Sequence, residues 1–153
     1  MSYKVSQILM LQCLENTIKW LYTTTWLWSE RGRVVKKVSC EYFVTDSKRV
    51  PAREFIDSLD PKTQRKFFFV VGLLEEFGHR LPQPHAKYMG DEIFELRFKG
   101  REGAIRVLYF FFHQDRAIFT NGFIKKSDKT PKNEKGIAIQ RRKLFLERMG
   151  KQK

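Results

Sequence analysis

The sequence predicts an α+β fold, a small antiparallel β-sheet with two N-terminal helices packed on one side and a C-terminal helix. Apolar residues recur at helical spacing through residues 51–77, which predicts two helices. After two loop prolines the pattern changes to alternation, which indicates β-strands. A further helical segment is predicted from Pro131 or Asn133 to Met149. The predicted order is therefore β, α, α, β, β, β, α within one domain of ordinary size.

The first half of this domain contains one strand and the two helices. Residues 38–45 are rich in β-branched and aromatic side chains, which predicts the strand. Pro51 is favoured at the first position of a helix, and this helix is expected to reach Leu59. The pair Asp60-Pro61 supplies the N-cap and first residue of the second helix, and Gly78 is suited to end it.

Three strands are predicted next, at residues 92–99, 104–112 and 116–124. In the first of them alternate residues are apolar, whereas Arg97 and Lys99 face the other way. We therefore expect one side of the sheet to carry the helices and the other to stay partly open, as a groove for an extended polyanion. Two phenylalanine triplets lie in predicted buried elements, so both are expected to be core rather than a base-stacking surface: 67–69 and 110–112.

Charge is the strongest feature of the composition. The 153 residues include 30 Lys and Arg against 17 Asp and Glu, a formal net charge of +13. Residues 123–153 hold eleven basic and three acidic residues, or +8, whereas the central segment is nearly neutral. Such a balance favours association with a polyanion, and on charge alone nucleic acid, a membrane surface and an acidic protein all qualify.

Residues 1–37 are predicted to be an N-terminal extension outside the domain formed by residues 38–153. Charged and polar residues interrupt its apolar runs, so it does not supply the roughly 20 apolar residues of a membrane span. No small-residue cleavage site follows a clean apolar core, which argues against a signal peptide. The segment is expected to form an amphipathic helix or to be poorly ordered, with a membrane-surface or partner-binding helix as the alternative.

Cysteine and histidine usage gives no indication of a metal or a cofactor. Cys13 and Cys40 do not lie in a metal-binding spacing and do not suggest a disulfide framework, which fits a reducing cytoplasm. The three histidines lack any metalloenzyme motif. We therefore expect no cofactor and, if there is catalysis, chemistry that is independent of metal.

Three segments together carry a resemblance to a known family. Residues 93–99 are Ile-Phe-Glu-Leu-Arg-Phe-Lys, residues 104–110 are Ala-Ile-Arg-Val-Leu-Tyr-Phe, and residues 121–132 are Asn-Gly-Phe-Ile-Lys-Lys-Ser-Asp-Lys-Thr-Pro-Lys. These segments resemble the RelE/ParE superfamily of bacterial toxins, specifically its HigB-like, phage-derived branch. The resemblance extends over roughly residues 38–149 and leaves the N-terminal extension outside.

The resemblance implies a toxin of a type II toxin–antitoxin system. Such a toxin cleaves mRNA in the ribosomal decoding site and is silenced by a helix-turn-helix antitoxin. Family members with this activity use no metal, because the 2′-hydroxyl of the messenger attacks the adjacent phosphate and leaves a cyclic phosphate and a 5′-hydroxyl. This reaction needs a proton acceptor, stabilisation of the extra negative charge and a proton donor.

The resemblance also assigns roles to basic residues. Arg97 takes the place of a basic active-site residue, and Arg106 matches the arginine that contacts the scissile phosphate in active relatives. Lys125 and Lys126 match basic residues after the last strand, and either one could serve as acid or base if neighbouring cations depress its pKa. Four further cations are expected to bind RNA: Lys99, Arg101, Lys129 and Lys132.

The proton donor is not identified by the resemblance. Tyr109 matches a family aromatic, but it lies on the opposite parity from Arg106 and is expected to be core. The terminal tyrosine of the best-studied ribonuclease branch has no equivalent, since no tyrosine occurs beyond position 109. His79 and His85 are candidate substitutes, and exposed loop histidines are the simpler interpretation of both.

Other interpretations remain open from the residues alone. Arg97 and Lys99 could form a solvated strand face paired with Glu95, and the lysines after residue 124 could be a basic loop without chemistry. Arg106 within an apolar strand needs a partner or a polar groove to offset its desolvation. Two other functions also fit the resemblance: a ParE-like toxin that binds DNA gyrase without cutting RNA, and a decayed phage-derived protein that only binds RNA or antitoxin.

Overall fold

The computed structural model describes residues 3–4, 38–126 and 132–151. Within them a six-stranded mixed sheet and three helices follow in α+β order, which confirms the predicted fold class. The strands are β1 (Tyr3–Lys4), β2 (Ser39–Tyr42), β3 (Ala86–Gly90), β4 (Ile93–Gly100), β5 (Gly103–Phe112) and β6 (Arg116–Lys125). The helices are α1 (Pro51–Asp57), α2 (Pro61–Phe77) and α3 (Lys132–Gly150), and a 3₁₀ turn at Gly78–Arg80 follows α2.

The spatial order of the strands is β1-β2-β6-β5-β4-β3. The meander from β3 to β6 is antiparallel, as predicted, but β2 lies parallel to β6. The prediction of a wholly antiparallel sheet was therefore wrong. A parallel pair needs a long crossover between its strands, and here both helices and the first three meander strands provide it.

Strand β3 was also absent from the prediction, which treated its residues as loop. It pairs with β4 through Ala86 opposite Leu96 and Tyr88 opposite Phe94, and its ladder is irregular near Gly90. Five residues that end in a glycine are too few for alternation to show clearly in the sequence. The segment becomes a strand because the edge of β4 is available to pair with it.

Two residues of the predicted N-terminal extension, Tyr3–Lys4, form β1 and pair antiparallel with β2. The predicted helix or poorly ordered segment at residues 5–37, including Cys13, lies outside the described residues.

Helices α1 and α2 pack on one side of the sheet, here called the helix side. Phe67, Val70 and Leu74 recur at helical spacing on α2 and are buried against β4, β5 and β6.

The Asp60 side chain accepts a hydrogen bond from the Lys62 amide, so the predicted N-cap is confirmed. Gly78 adopts φ 56°, a left-handed conformation that ends α2 as predicted.

Helix α3 packs against the other side of the sheet, but only over part of it. The Phe145 ring contacts those of Phe110 and Phe112, and Ala138 joins the same core cluster as Ile118. These contacts lie toward the β5–β6 turn. Arg97 and its neighbours lie further toward the β4–β5 turn, where a groove is lined by residues of the sheet and α2 and by no described residue of α3.

Glu102, in the turn between β4 and β5, fastens the start of α2 to the sheet. Its carboxylate accepts hydrogen bonds from the Asp60 amide and from the Thr63 hydroxyl. These bonds hold the pKa of Glu102 below its ordinary value, the Asp60 amide contributing most. The carboxylate therefore fixes α2 above β4 only while it is ionised.

The hydrogen bonds of the Glu102 carboxylate predict a loss of stability in acid. A carboxyl whose pKa is lower in the folded state contributes stability that is present above its unfolded pKa, about 4.3 for Glu, and that disappears as the pH falls through the folded pKa. We expect the melting temperature to fall between about pH 5 and pH 2, and Glu102→Gln to reduce the size of this fall. Glu76→Gln, at an exposed position on α2, should leave the acid dependence unchanged. An equal effect of both variants would show that the Glu102 carboxylate is not responsible.

Candidate functional site

Strand register brings four of the predicted basic residues to one face of the sheet. Arg97 of β4 lies opposite Arg106 of β5. Two pairs further along, Ala104 lies between Lys99 of β4 and Lys125 of β6. Directly opposed residues of neighbouring antiparallel strands place their side chains on the same face. Arg97, Lys99, Arg106 and Lys125 are here called the basic face.

Lys125 reaches the basic face because of a β-bulge. Leu108 pairs with Asn121 but Tyr109 pairs with Phe119, so Thr120 is an extra residue in β6. The extra residue reverses the alternation, and the positions from Asn121 onward change sides. Lys126 follows the end of β6 and is exposed, and continued alternation would place it on the helix side. Of the two predicted lysines, the register thus favours Lys125 as the neighbour of Arg106.

A buried carboxylate lies beneath the two arginines. Glu95 is 1% exposed, and its Oε1 is 2.8 Å from Nε of Arg106, while its Oε2 is 3.9 Å from Nε of Arg97. Neither arginine Nε directs its hydrogen at the carboxylate, so these contacts are ion pairs without well-aligned hydrogen bonds. Glu95 is therefore not part of a solvated face, as one interpretation of the sequence had it, but a counter-charge to both guanidinium groups.

Arg106 is the most buried cation of the basic face, with 11% of its side chain exposed. Burial lowers its pKa, the nearby Arg97 lowers it further, and Glu95 acts in the opposite direction. An arginine nevertheless stays protonated at neutral pH. Arg106 can therefore bind and stabilise an anion, but it is not suited to accept a proton.

A groove of about 710 Å³ opens beside the basic face, at the edge of β4 beyond the point where β3 stops pairing. Residues of α2 line the groove on the helix side of the sheet, and Arg97 and Arg106 line it on the other side. The groove therefore passes around the edge of the sheet. No acidic side chain of the described residues lines it. The lining residues are Lys66, Phe69, Val70, Pro84, His85, Arg97, Phe98, Lys99, Ala104 and Arg106.

The structure separates the two histidine candidates. His85 lines the groove, and its carbonyl oxygen accepts a hydrogen bond of 2.7 Å from the Arg97 amide. His79 lies elsewhere, with its ring stacked on Phe111 at a centroid distance of 3.6 Å. Tyr109 is buried among aromatic rings, and that burial raises its pKa, so it is a core residue as its parity indicated.

Of the four residues predicted to bind RNA, the structure describes the surroundings of two, Lys99 and Arg101. Lys99 belongs to the basic face and lines the groove. Arg101 is exposed at the β4–β5 turn, where its Nη1 lies 3.1 Å from Oδ2 of Asp60. Lys129 lies outside the described residues, and Lys132 is the first residue of α3.

Phe69 lines the groove, although the sequence prediction assigned it to the core. The triplet 67–69 was expected to be core, but only Phe67 is fully buried, while 66% of Phe69 is exposed. Helical spacing could have indicated this difference, since Phe69 is out of phase with the buried stripe of Phe67, Val70 and Leu74. The prediction for the whole triplet was therefore wrong at its last member.

Residues 54–143, more than half of the chain, match the family described as phage-derived protein Gp49-like (DUF891). The chain belongs to the Gp49-like family. This family lies within the context of the RelE/HigB-like toxins, which agrees with the broader resemblance noted in the sequence, whereas membership of HigB itself stays a prediction. No curated protein matches the chain.

The match places the groove and the basic face inside the Gp49-like region, because residues 54–143 extend from α1 through the meander into α3. Among the described residues of this Gp49-like protein, no group of three or more His, Cys, Asp or Glu side chains could hold a metal ion. None of the described helices has both the length and the apolar character needed to cross a bilayer.

The chemical capacity of the site follows from its charges. Two guanidinium groups on adjacent strands, two lysines in the next row of the same face and an imidazole at the groove wall have the charge and the hydrogen-bond donors to bind a phosphodiester. Guanidinium groups bind phosphate oxygens through paired hydrogen bonds and stabilise negative charge as it develops. Glu95, whose carboxylate contacts both arginines, is buried beneath them and is not among the residues that line the groove.

Proposed function

We propose that this Gp49-like protein is the toxin of a type II toxin–antitoxin system and acts in the cytoplasm as a metal-independent, ribosome-dependent mRNA endonuclease. The observation that supports it most is the opposed pair Arg97 and Arg106, flanked by Lys99 and Lys125 on an open face of the sheet. The family match supplies the toxin context. The predicted RelE-like arrangement of the helices is part of the same proposal.

In the proposed reaction the messenger supplies its own nucleophile. A 2′-hydroxyl loses its proton to a base and attacks the adjacent phosphorus, the bond to the 5′-oxygen breaks, and that oxygen takes up a proton. The products are a 2′,3′-cyclic phosphate and a 5′-hydroxyl. Arg106, with Arg97 beside it, would hold the non-bridging oxygens and stabilise the added negative charge of the phosphorane.

Two groups of the site are placed to move the protons. His85 lines the groove, and an imidazole can both accept and donate a proton near neutral pH. Lys125 shares the face of Arg106 and is the second group that we assign to proton transfer. We assign the proton transfers to this pair and leave the division between acid and base to a pH–rate comparison of variants at the two positions.

The proposal is tested by the chemistry of the RNA ends. We expect induction of the protein in bacteria to halt translation, and sequencing of 5′ ends to show new messenger ends that carry a 5′-hydroxyl, whose partners carry a cyclic phosphate. A 5′-phosphate and a 3′-hydroxyl at the cut would instead indicate hydrolysis by a metal-activated water and would contradict the metal-independent reaction. Intact messengers together with accumulated gyrase–DNA breaks would instead identify a gyrase-binding toxin.

If the protein binds RNA without cutting it and does not slow growth, it is a decayed toxin.

The proposed partner is a helix-turn-helix antitoxin, which we expect to suppress the growth arrest when it is produced together with the toxin. Protection mapping with and without that partner would show whether it covers the basic face or holds α3.

A further inference from the structure

We infer that the groove beside β4 is a binding site for an unpaired nucleobase, which stacks on the ring of Phe69. The inference deepens the proposed function and depends on it in one respect, that single-stranded RNA is the ligand. It assigns to Phe69 the role of a substrate-positioning residue. The nucleotide that it binds would adjoin the phosphate held by Arg97 and Arg106.

The first support is the exposure of an aromatic ring that the fold does not use. Phe67 contributes to the core on the same helix, but Phe69 leaves 66% of its surface in water. Burying a phenylalanine side chain is worth about 1.5–3 kcal/mol, so an exposed ring in a groove is an unused source of binding energy. A base has a flat face that can cover it, whatever the base's identity.

The second support is the charge around that ring. The groove carries Lys66, Arg97, Lys99 and Arg106, and within the part of the chain that the structure describes no acidic side chain lines it. The ammonium group of Lys66 donates a hydrogen bond of 3.0 Å to the carbonyl oxygen of Lys99, so it holds the α2 wall against the free edge of β4. A ring beside several cations suits a ligand that is both aromatic and anionic, which describes a nucleotide better than an apolar peptide.

The third support is the course of the groove. The ladder of β3 with β4 ends at Ala86 opposite Leu96, and one further hydrogen bond joins the His85 carbonyl to the Arg97 amide. Beyond Arg97, no other described strand pairs with this edge of β4, and the groove is lined by residues from both sides of the sheet. Phe69 lies at the helix-side wall and the two arginines lie at the other wall. A single strand bound by its phosphates on the basic face could therefore turn one base toward Phe69. A duplex keeps its bases stacked and offers no free face to the ring.

The test compares binding of two single-stranded probes by fluorescence anisotropy. One is a short 2′-O-methyl RNA, which lacks the attacking hydroxyl and is not cleaved, and the other has the same backbone without bases. Because stacking on an aromatic side chain is worth about 1–3 kcal/mol per base, we expect Phe69→Ala to weaken binding of the base-containing probe about tenfold. Binding of the abasic probe should not change, and Phe69→Trp should retain the affinity of the native protein.

Phe77→Ala is the matched control, because Phe77 is a partly exposed phenylalanine of the same helix that does not line the groove. Equal loss of affinity in Phe77→Ala and Phe69→Ala, or none in Phe69→Ala, would overturn the base site. Equal binding of the base-containing probe and the abasic probe by the native protein would also overturn the base site. Selective loss in Phe69→Ala, found together with intact messengers in cells, would support the base site while refuting the nuclease.

Discussion

Replacement of Arg106 by lysine is expected to lower RNA cleavage about a hundredfold and to relieve growth arrest, while the chain stays folded. The lysine keeps a positive charge opposite the buried Glu95, so the sheet does not gain an unpaired carboxylate. What it loses is the planar fork that binds two phosphate oxygens together. Removal of one preorganised donor to a developing oxyanion costs on the order of a hundredfold or more in rate. Cleavage in a translation system measures the rate, and thermal unfolding measures the fold.

Arg116→Lys is a matched control for this change. Arg116 begins β6 and makes two hydrogen bonds, of 2.8 and 2.7 Å, to the carboxylate of Glu41, far along the sheet from the basic face. The substitution removes a guanidinium group from the same sheet, so it should lower the stability at least as much as Arg106→Lys does. Its cleavage rate per folded molecule should stay near that of the native protein. If Arg106→Lys cleaves as well as Arg116→Lys, Arg106 does not bind the scissile phosphate.

Replacement of Phe67 by alanine is expected to lower the free energy of unfolding by about 3–5 kcal/mol. The ring is fully buried, and its centroid lies 5.6 Å from that of Phe119 and 5.9 Å from that of Phe98. Its removal would leave a cavity between α2 and the sheet that tightly packed neighbours fill only in part. Denaturation by urea, followed by circular dichroism, measures the loss.

Phe69→Ala provides the internal comparison for this core prediction. It makes the same chemical change two residues away on the same helix, at a side chain exposed to water. We expect its effect on the free energy of unfolding to stay within about 0.5 kcal/mol. A similar destabilisation by both substitutions would show that Phe69 is packed, and would weaken the assignment of its ring to ligand binding.

Local patterns predicted the elements that carry strong local signals. The Asp60-Pro61 start of α2, its end at Gly78 and the three long strands are where capping chemistry and alternation placed them. Helix α1 ends at Asp57, two residues before its predicted end, because the chain turns at Ser58. Local patterns do not specify which strand pairs with which, and this accounts for the missed parallel pairing of β2 and the missed strand β3.

The candidate site was predictable in its residue types but not in its geometry. The spacing of Arg97 and Lys99 showed that they share a face, and the resemblance selected Arg106. Whether Lys125 or Lys126 joins them depends on the extra residue at Thr120. Gly122, within the predicted strand, is typical of a bulge, but it does not show which residue is extra. The burial of Glu95 likewise depends on Arg106 lying on the neighbouring strand, a contact that only the register establishes.

The parallel pairing of β2 with β6 affects the order in which a newly made chain can fold. Its first partners are Ser39 and Arg116, so closing this pair confines more than seventy residues in one loop, whereas each hairpin of the meander closes over a short turn. Synthesis delivers β6 last among the strands. An unfinished chain therefore exposes the free edge of β2 to other polypeptides until Arg116 and the residues after it emerge. Aggregation of truncated translation products is the specific hazard that this topology creates.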